Sequence, residues 1–310
     1  MFAHPNRRSF LQQSGVLLGA LGSGFSFASE KKSKRAVRYC FNTSTVREKK
    51  IPLPDLCRLV AEAGYDSIEP WFREMDTYRA EGGNLSDLGK LISDLGLKVE
   101  SGIGFARWIV DDPKVRKEAL EEAKLQMDQI KQLGGHRIAA PPAGATRGIH
   151  IAPEVAAERY RELLKVGESL EVTPQLEVWG FSSTMGRLDE VIEVMKKADH
   201  PRACILPDVY HLYKGGSDFA DLLKIPGHAM QMFHLNDYPP IVTTEIADAD
   251  RVYPGDGVAP YPRIMKYLQE IGFEGAFSIE LFNPDYWKQD PLEVARTSLK
   301  KMKAVTTEFA

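Results

Sequence analysis

Strand-like apolar runs and amphipathic stretches alternate eight times along this chain. That rhythm constrains the fold more than any single motif does. The strand-like runs fall at 37–41, 67–71, 97–102, 136–140, 175–179, 203–206, 229–233 and 276–281. Helical periodicity follows at 53–63, 85–95, 113–133, 153–170, 188–198 and finally 291–302. Pro54 and Asp55 open the first of these and Gly64 closes it, while Gly96 and Gly134-Gly135 stop the next two. Eight strand-then-helix units without a break predict a parallel sheet closed on itself, an α/β single domain of the (β/α)8 TIM barrel type. An open doubly wound sheet is disfavoured, because no Gly-rich nucleotide fingerprint follows the first strand.

The N-terminus reads differently. Asn6-Arg7-Arg8-Ser9-Phe10-Leu11 is a twin-arginine pattern, and an uncharged, mostly apolar run follows over 15–28. It ends in Ser26-Phe27-Ala28, with small residues where a signal peptidase reads. We expect residues 1–28 to be a twin-arginine signal peptide, 29–36 a charged lead-in, and 37–310 the barrel of a periplasmic protein. The apolar run is too short to span a bilayer, so no membrane association is expected once it is removed. Loss of Arg7 and Arg8 takes the formal charge from −3 to −5. A mildly acidic chain without a basic stripe is a poor nucleic-acid ligand. Cys40, Cys57 and Cys204 are too few and too apolar in context for a disulfide framework, and are expected as buried thiols.

Four of the strand-like runs end in metal-ligating side chains: Glu177, Asp208, His234 and Glu280. Glu69 ends the second run in the same way. Barrel active sites lie at the C-terminal ends of strands, so these residues should meet. Three carboxylates and an imidazole suit one divalent cation, Mn²⁺ first, with Mg²⁺, Co²⁺ or Zn²⁺ as alternatives. Two glutamates beside such a cation suit proton transfer next to a carbonyl. The cation stabilises an enediolate while one carboxylate removes the carbon-bound proton and the other returns one. The long connection 238–259 reads as a substrate loop, and the aromatic segment 102–108 as a second wall of the barrel mouth.

Glu177, Asp208-x-x-His211, His234-x-x-Asp237, Arg251 with Pro254-Gly255-x-Gly257, and Glu280 together resemble the xylose-isomerase-like barrel superfamily. That group includes sugar isomerases, ketose 3-epimerases, hydroxypyruvate isomerases, inosose dehydratases and endonuclease IV enzymes. The resemblance covers essentially the whole mature chain. It implies that Glu177, Asp208, His234 and Glu280 are the metal ligands, with Glu177 and Glu280 doubling as the acid/base pair. It also implies that His211 and Arg251 contact substrate oxygens and that Glu69 and Asp237 belong to the substrate site. Trp108 and Trp179 would be apolar walls against a sugar face. The extra histidines of the endonuclease relatives are missing, since Glu69-Pro70-Trp71, Gly102-Ile103-Gly104 and Asp250-Arg251-Val252 stand in their places. The expected function is therefore a metal-dependent isomerase or epimerase of a small, unphosphorylated carbohydrate. A metal-dependent lyase or dehydratase of a keto-sugar or inosose would use the same residues. A sugar-binding barrel without catalysis is the third reading. A homo-oligomer is left open, since nothing in the sequence identifies an interface.

Overall fold

The computed structural model describes residues 37–309; the expected signal peptide and lead-in lie outside them. Eight parallel strands are present: β1 Arg38–Asn42, β2 Ser67–Glu69, β3 Lys98–Val99, β4 Arg137–Ala140, β5 Thr173–Glu177, β6 Ile205–Leu206, β7 Met232–Leu235 and β8 Ala276–Ile279. They pair in the order β3-β2-β1-β8-β7 and β4-β5-β6. Two seams join these sheets. Gly102 N–H donates to Arg137 O (3.2 Å) and Ala139 N–H to Gly102 O (2.9 Å), joining the β3 end to β4. His234 N–H donates to Pro207 O (2.9 Å), and parallel bridges Ile205–Met230 and Asp208–His234 join β6 to β7. The barrel is closed, as the eightfold alternation predicts.

The helices are α1 Leu53–Ala63, α2 Phe72–Ala80, α3 Leu85–Asp94, α4 Pro113–Gln132, α5 Pro153–Leu170, α6 Leu188–Ala198, α7 Val209–Lys214, α8 Tyr261–Glu270, α9 Pro284–Trp287 and α10 Pro291–Val305. Their starts are chemically marked. The Asp112 carboxylate accepts from the Lys114 and Val115 N–H groups ahead of α4, and Asp290 does the same for Leu292 and Glu293 ahead of α10. Gly64 ends α1 at φ +91°, a left-handed turn that costs a residue with a Cβ far more. The helices α2, α7 and α9 are additions to the expected set; all three are short and follow a strand end directly.

Side chains of alternate strand residues separate into two cores. Phe41, Phe233, Phe277 and Ile279 point outward and are buried against the helices. Cys40, Ala139, Leu206, Met232 and Ala276 point inward and fill the barrel with Trp71 and Ile103. Continuing that inward row by two residues at each strand gives Asn42, Ser278 and His234; Asn42 pairs with Glu69 across β1 and β2, and His234 with Ser278 across β7 and β8. The polar site is thus the next layer above an apolar plug. Cys40, Cys57 and Cys204 are free and buried, and burial pushes the Cys57 and Cys204 thiols up to about 12. No helix among the described residues is long and apolar enough to cross a membrane.

Candidate active site

The inward layer at the strand ends is almost entirely ionisable. Glu69, Asp208 and His234 are fully buried, and Glu177 and Glu280 nearly so. His234 donates through Nε2 to Glu69 Oε2 (3.0 Å). The same Glu69 oxygen accepts from Ser278 Oγ (2.7 Å) and Asn42 Nδ2 (3.0 Å), so the imidazole is held from behind by an anchored carboxylate. With Nε2 engaged by Glu69, Nδ1 is the ring nitrogen that faces the interior. Nδ1 has no hydrogen-bond partner among the described residues. It faces Glu280 Oε2 at 3.4 Å and Asp208 Oδ2 at 3.7 Å.

Glu177, His234 and Glu280 each bring a ligand atom within 4.8 Å of the others. Glu177 Oε2 is also buried and unpartnered. Two buried polar atoms left unmatched beside further carboxylates are costly unless a cation or proton sits between them. One imidazole nitrogen and carboxylate oxygens from several strand ends are a donor set that a divalent cation fits. Asp208 borders this cluster while meeting other demands. Its Oδ2 accepts from Arg251 Nη1 (3.0 Å) and Asn236 Nδ2 (2.7 Å), and its Oδ1 caps α7 at the His211 N–H (2.8 Å).

The electrostatics split the carboxylates. Burial, reinforced by Glu280, pushes Glu177 up to about 8. Burial would also raise Asp208 and Glu280, but Arg251 and His234 overcome it and hold both below the usual carboxylate range. Burial opposes the charged form of His234, yet Glu69 and Glu280 outweigh it and raise that imidazole well above its ordinary value. His211 moves the other way, lowered by burial and by Arg251, whose Nη2 donates to His211 Nε2 (3.1 Å).

Above this layer is a cavity of about 400 Å³. Glu177, Glu280, His211 and Arg251 form its floor, with Trp71, Phe105, Trp179, Phe181, Phe282 and Trp287 as walls. The long connection after β7 contributes Asp248, Ala249 and Arg251 to the lining, as expected of a substrate loop. An antiparallel bridge between Asp237 and Val252 folds this loop back over the barrel.

The structure corrects three of the expected substrate contacts. Trp108 is buried in the outer core, where its Nε1–H donates to Pro141 O (2.9 Å) and its ring packs on Tyr160. Phe105, three residues earlier, takes the wall position and meets Trp71 and Trp179. Asp237 is also buried and off the cavity. Its carboxylate accepts from the backbone N–H groups of Tyr238, Gly255 and Ala259 and so fixes the loop. Glu69 lies beneath the cavity as the support of His234. Trp179, His211 and Arg251 do line the cavity. Asn42, Asn236 and Ser278 were missed because a neutral polar residue in an apolar run carries no signal of its own; the inward period of two would have flagged Asn42 and Ser278.

Comparison with known proteins agrees with this architecture. A family model described as xylose isomerase-like TIM barrel matches residues 57–305. The inosose isomerase of Bacillus velezensis is 26% identical over 279 residues, covering 88% of this chain and 98% of that protein. The fructoselysine 3-epimerase of Escherichia coli O157:H7 is 22% identical, covering 85% and 97%. A crystal structure of the IOLI protein with a bound zinc atom superposes with a TM-score of 0.83 at 24% identity, covering 88% of this chain and 99% of that one. The named relatives support an enzyme of the isomerase and epimerase kind. With a match across most of its length and the same closed barrel, the chain belongs to the xylose isomerase-like TIM barrel family.

Proposed function

We propose that the protein is a divalent-metal-dependent isomerase or epimerase of a small carbohydrate, moving a proton beside a carbonyl. The observation that carries this reading is the convergence of the unpartnered His234 Nδ1 and Glu177 Oε2 with Glu280 under an aromatic cavity. Glu177, Asp208, His234 and Glu280 would hold the cation, Mn²⁺ in the first instance. When bound, it supplies Lewis acidity to a carbonyl and the hydroxyl beside it.

The remaining work falls to side chains. Glu280 is fixed in orientation, because Asn42 Nδ2 donates to its Oε1 (3.1 Å) and Arg251 Nη1 to its Oε2 (3.0 Å). Glu177 keeps Oε2 clear of hydrogen bonds and can accept or hold a proton there. Both carboxylates line the cavity, so each can reach a substrate carbon or oxygen. Arg251, its N–H groups taken up by Asp208, Glu280, Asp248 and His211, fixes Glu280 and His211 at the cavity floor, where His211 faces the substrate oxygens. Trp179 and its aromatic neighbours stack on the C–H face of a sugar and exclude water. Residues 1–28 further support export by the twin-arginine route, which a change of Arg7 and Arg8 to lysine should block in a fractionation assay.

The test is deuterium exchange. The protein is loaded with Mn²⁺ in D₂O and offered ketoses, inososes and keto-glycosides, with products read by mass spectrometry. Uptake at the carbon beside the carbonyl, with the mass otherwise kept, is the expected result. Glu177→Gln should lower it by roughly 100-fold or more. Unchanged exchange in that variant would remove Glu177 from the chemistry, and loss of water from the substrate would make the enzyme a lyase.

A further inference from the structure

One cation in the cavity wall has only a loose, exposed counterpart among the described residues. Arg47 stands on the 3-10 segment Thr43–Lys49 directly after β1 and lines the same cavity as Glu177 and Glu280. Its guanidinium is packed among three aromatic rings, 4.8 Å from the centre of Trp287, 5.0 Å from Phe282 and 5.9 Å from Trp71. Its Nε is buried without a hydrogen-bond partner among the described residues. Among the described residues the one carboxylate within ion-pair range is Glu48 Oε1, at 3.7 Å from Nε, on a side chain that is 55% exposed. Nearby Glu74 is turned away, its Oε2 accepting from Thr43 Oγ1 (2.5 Å) and the Trp71 N–H (3.3 Å). The second guanidinium of the wall, Arg251, differs in being saturated by Asp208, Glu280 and Asp248.

An arginine that is stacked, partly desolvated and short of acceptors is organised for a ligand rather than for the fold. Stacking fixes the plane of the guanidinium, and its N–H edge is what a planar carboxylate matches with two parallel hydrogen bonds. Placement agrees with this. The Phe282 ring stands between the two cations, 5.0 Å from the Arg47 guanidinium carbon and 4.8 Å from that of Arg251. Arg47, Glu177 and Glu280 line one cavity of about 400 Å³, which has room for a six-carbon sugar acid with its carbonyl end at the glutamates and its acid end at Arg47.

We infer that Arg47 is a specificity-determining residue that binds the carboxylate of an anionic keto-sugar, so that the substrate is a sugar acid rather than a neutral sugar. This inference rests on the function proposed above for the location of the reacting carbon, but its test does not depend on turnover. Binding of D-galacturonate and D-glucuronate would be compared with that of D-galactose and D-glucose on the Mn²⁺-loaded protein. Calorimetry, or quenching of the cavity tryptophans, would report it. A charge-assisted pair predicts an acid-over-neutral preference of roughly 10- to 100-fold. That ratio should collapse toward one in Arg47→Gln and be partly retained in Arg47→Lys, with both variants matching wild type in circular dichroism and Mn²⁺ affinity.

Equal affinity of wild type for acids and neutral sugars would overturn the inference. So would a preference for acids that survives Arg47→Gln. Neither result bears on the metal reading, which fails separately if Mn²⁺ does not bind or if no substrate exchanges deuterium.

Discussion

Glu69→Gln is the sharpest probe of how the metal site is built, because it changes one atom beneath the site and leaves every proposed ligand in place. In the wild-type protein Glu69 Oε2 accepts from His234, Asn42 and Ser278, while Oε1 is buried with no partner. The glutamine oxygen can take the place of Oε2 and keep the three hydrogen bonds in neutral form. Its NH₂ group must then occupy the buried Oε1 position, which has no hydrogen-bond partner among the described residues. Burying that donor costs about 1–3 kcal/mol of stability, or a few degrees in melting temperature for a domain of this size.

The larger effect is on the metal. Without the carboxylate behind it, the imidazole is less basic and less firmly aimed. Loss of such a supporting anion lowers metal affinity roughly 10- to 100-fold, equivalent to about 1.4–2.7 kcal/mol. A chelator-competition titration with Mn²⁺ reads this directly, with thermal melts of the metal-free protein reporting the stability part. An affinity within threefold of wild type in a variant that folds normally would refute the view that Glu69 acts through His234.

Three further predictions follow from the same geometry. Trp108→Phe removes the indole hydrogen bond to Pro141 O, which keeps its bond from the Ala143 N–H (2.8 Å), so it should lower stability by only about 1 kcal/mol; equal Mn²⁺ affinity in equilibrium titration would confirm that Trp108 is a core residue. Asp237→Ala deletes the acceptor of three backbone N–H groups, so the segment 238–259 should become the first site of limited proteolysis, and resistance equal to wild type would count against its loop-fixing role. Metal affinity should rise with pH. Glu177, pushed up to about 8 by burial and Glu280, and His234, raised by Glu69 and Glu280, both hold protons near neutrality without the cation and must release them to ligate it. Affinity should therefore climb by up to about tenfold per pH unit for each proton released, climb less steeply once pH passes the Glu177 value and only the His234 proton remains, and show a shallower slope in Glu177→Gln; a flat profile between about pH 6 and 8 would exclude this linkage.

Much of this molecule is decided by local sequence. Strand and helix periods, Asp caps and glycine stops are short-range signals, and eight of them in one order admit essentially one closed parallel architecture. Because strands of such a barrel all point the same way, the residue closing each run falls on one rim. That is why Glu177, Asp208, His234 and Glu280 could be read together before any coordinates were known. The deeper support of the site was not legible. Asn42, Ser278 and Asn236 are neutral residues whose importance depends on strand register, a long-range property set by pairing between segments up to two hundred residues apart.

Tertiary structure alone decided which aromatic in 102–108 faces the cavity. The backbone path over the rim turns Phe105 in and Trp108 down into the helix layer, and both are equally apolar in sequence. It alone decided that Asp237, one turn of chain from His234, would fold a loop rather than meet a substrate. It alone brought Arg47, remote in sequence from every ligand, against three rings with only the exposed Glu48 as a loose ion-pair partner. Sequence determined the frame and the ligand types, because periodicity and chain direction fix those locally; packing across the barrel mouth determined which side chains are free to act.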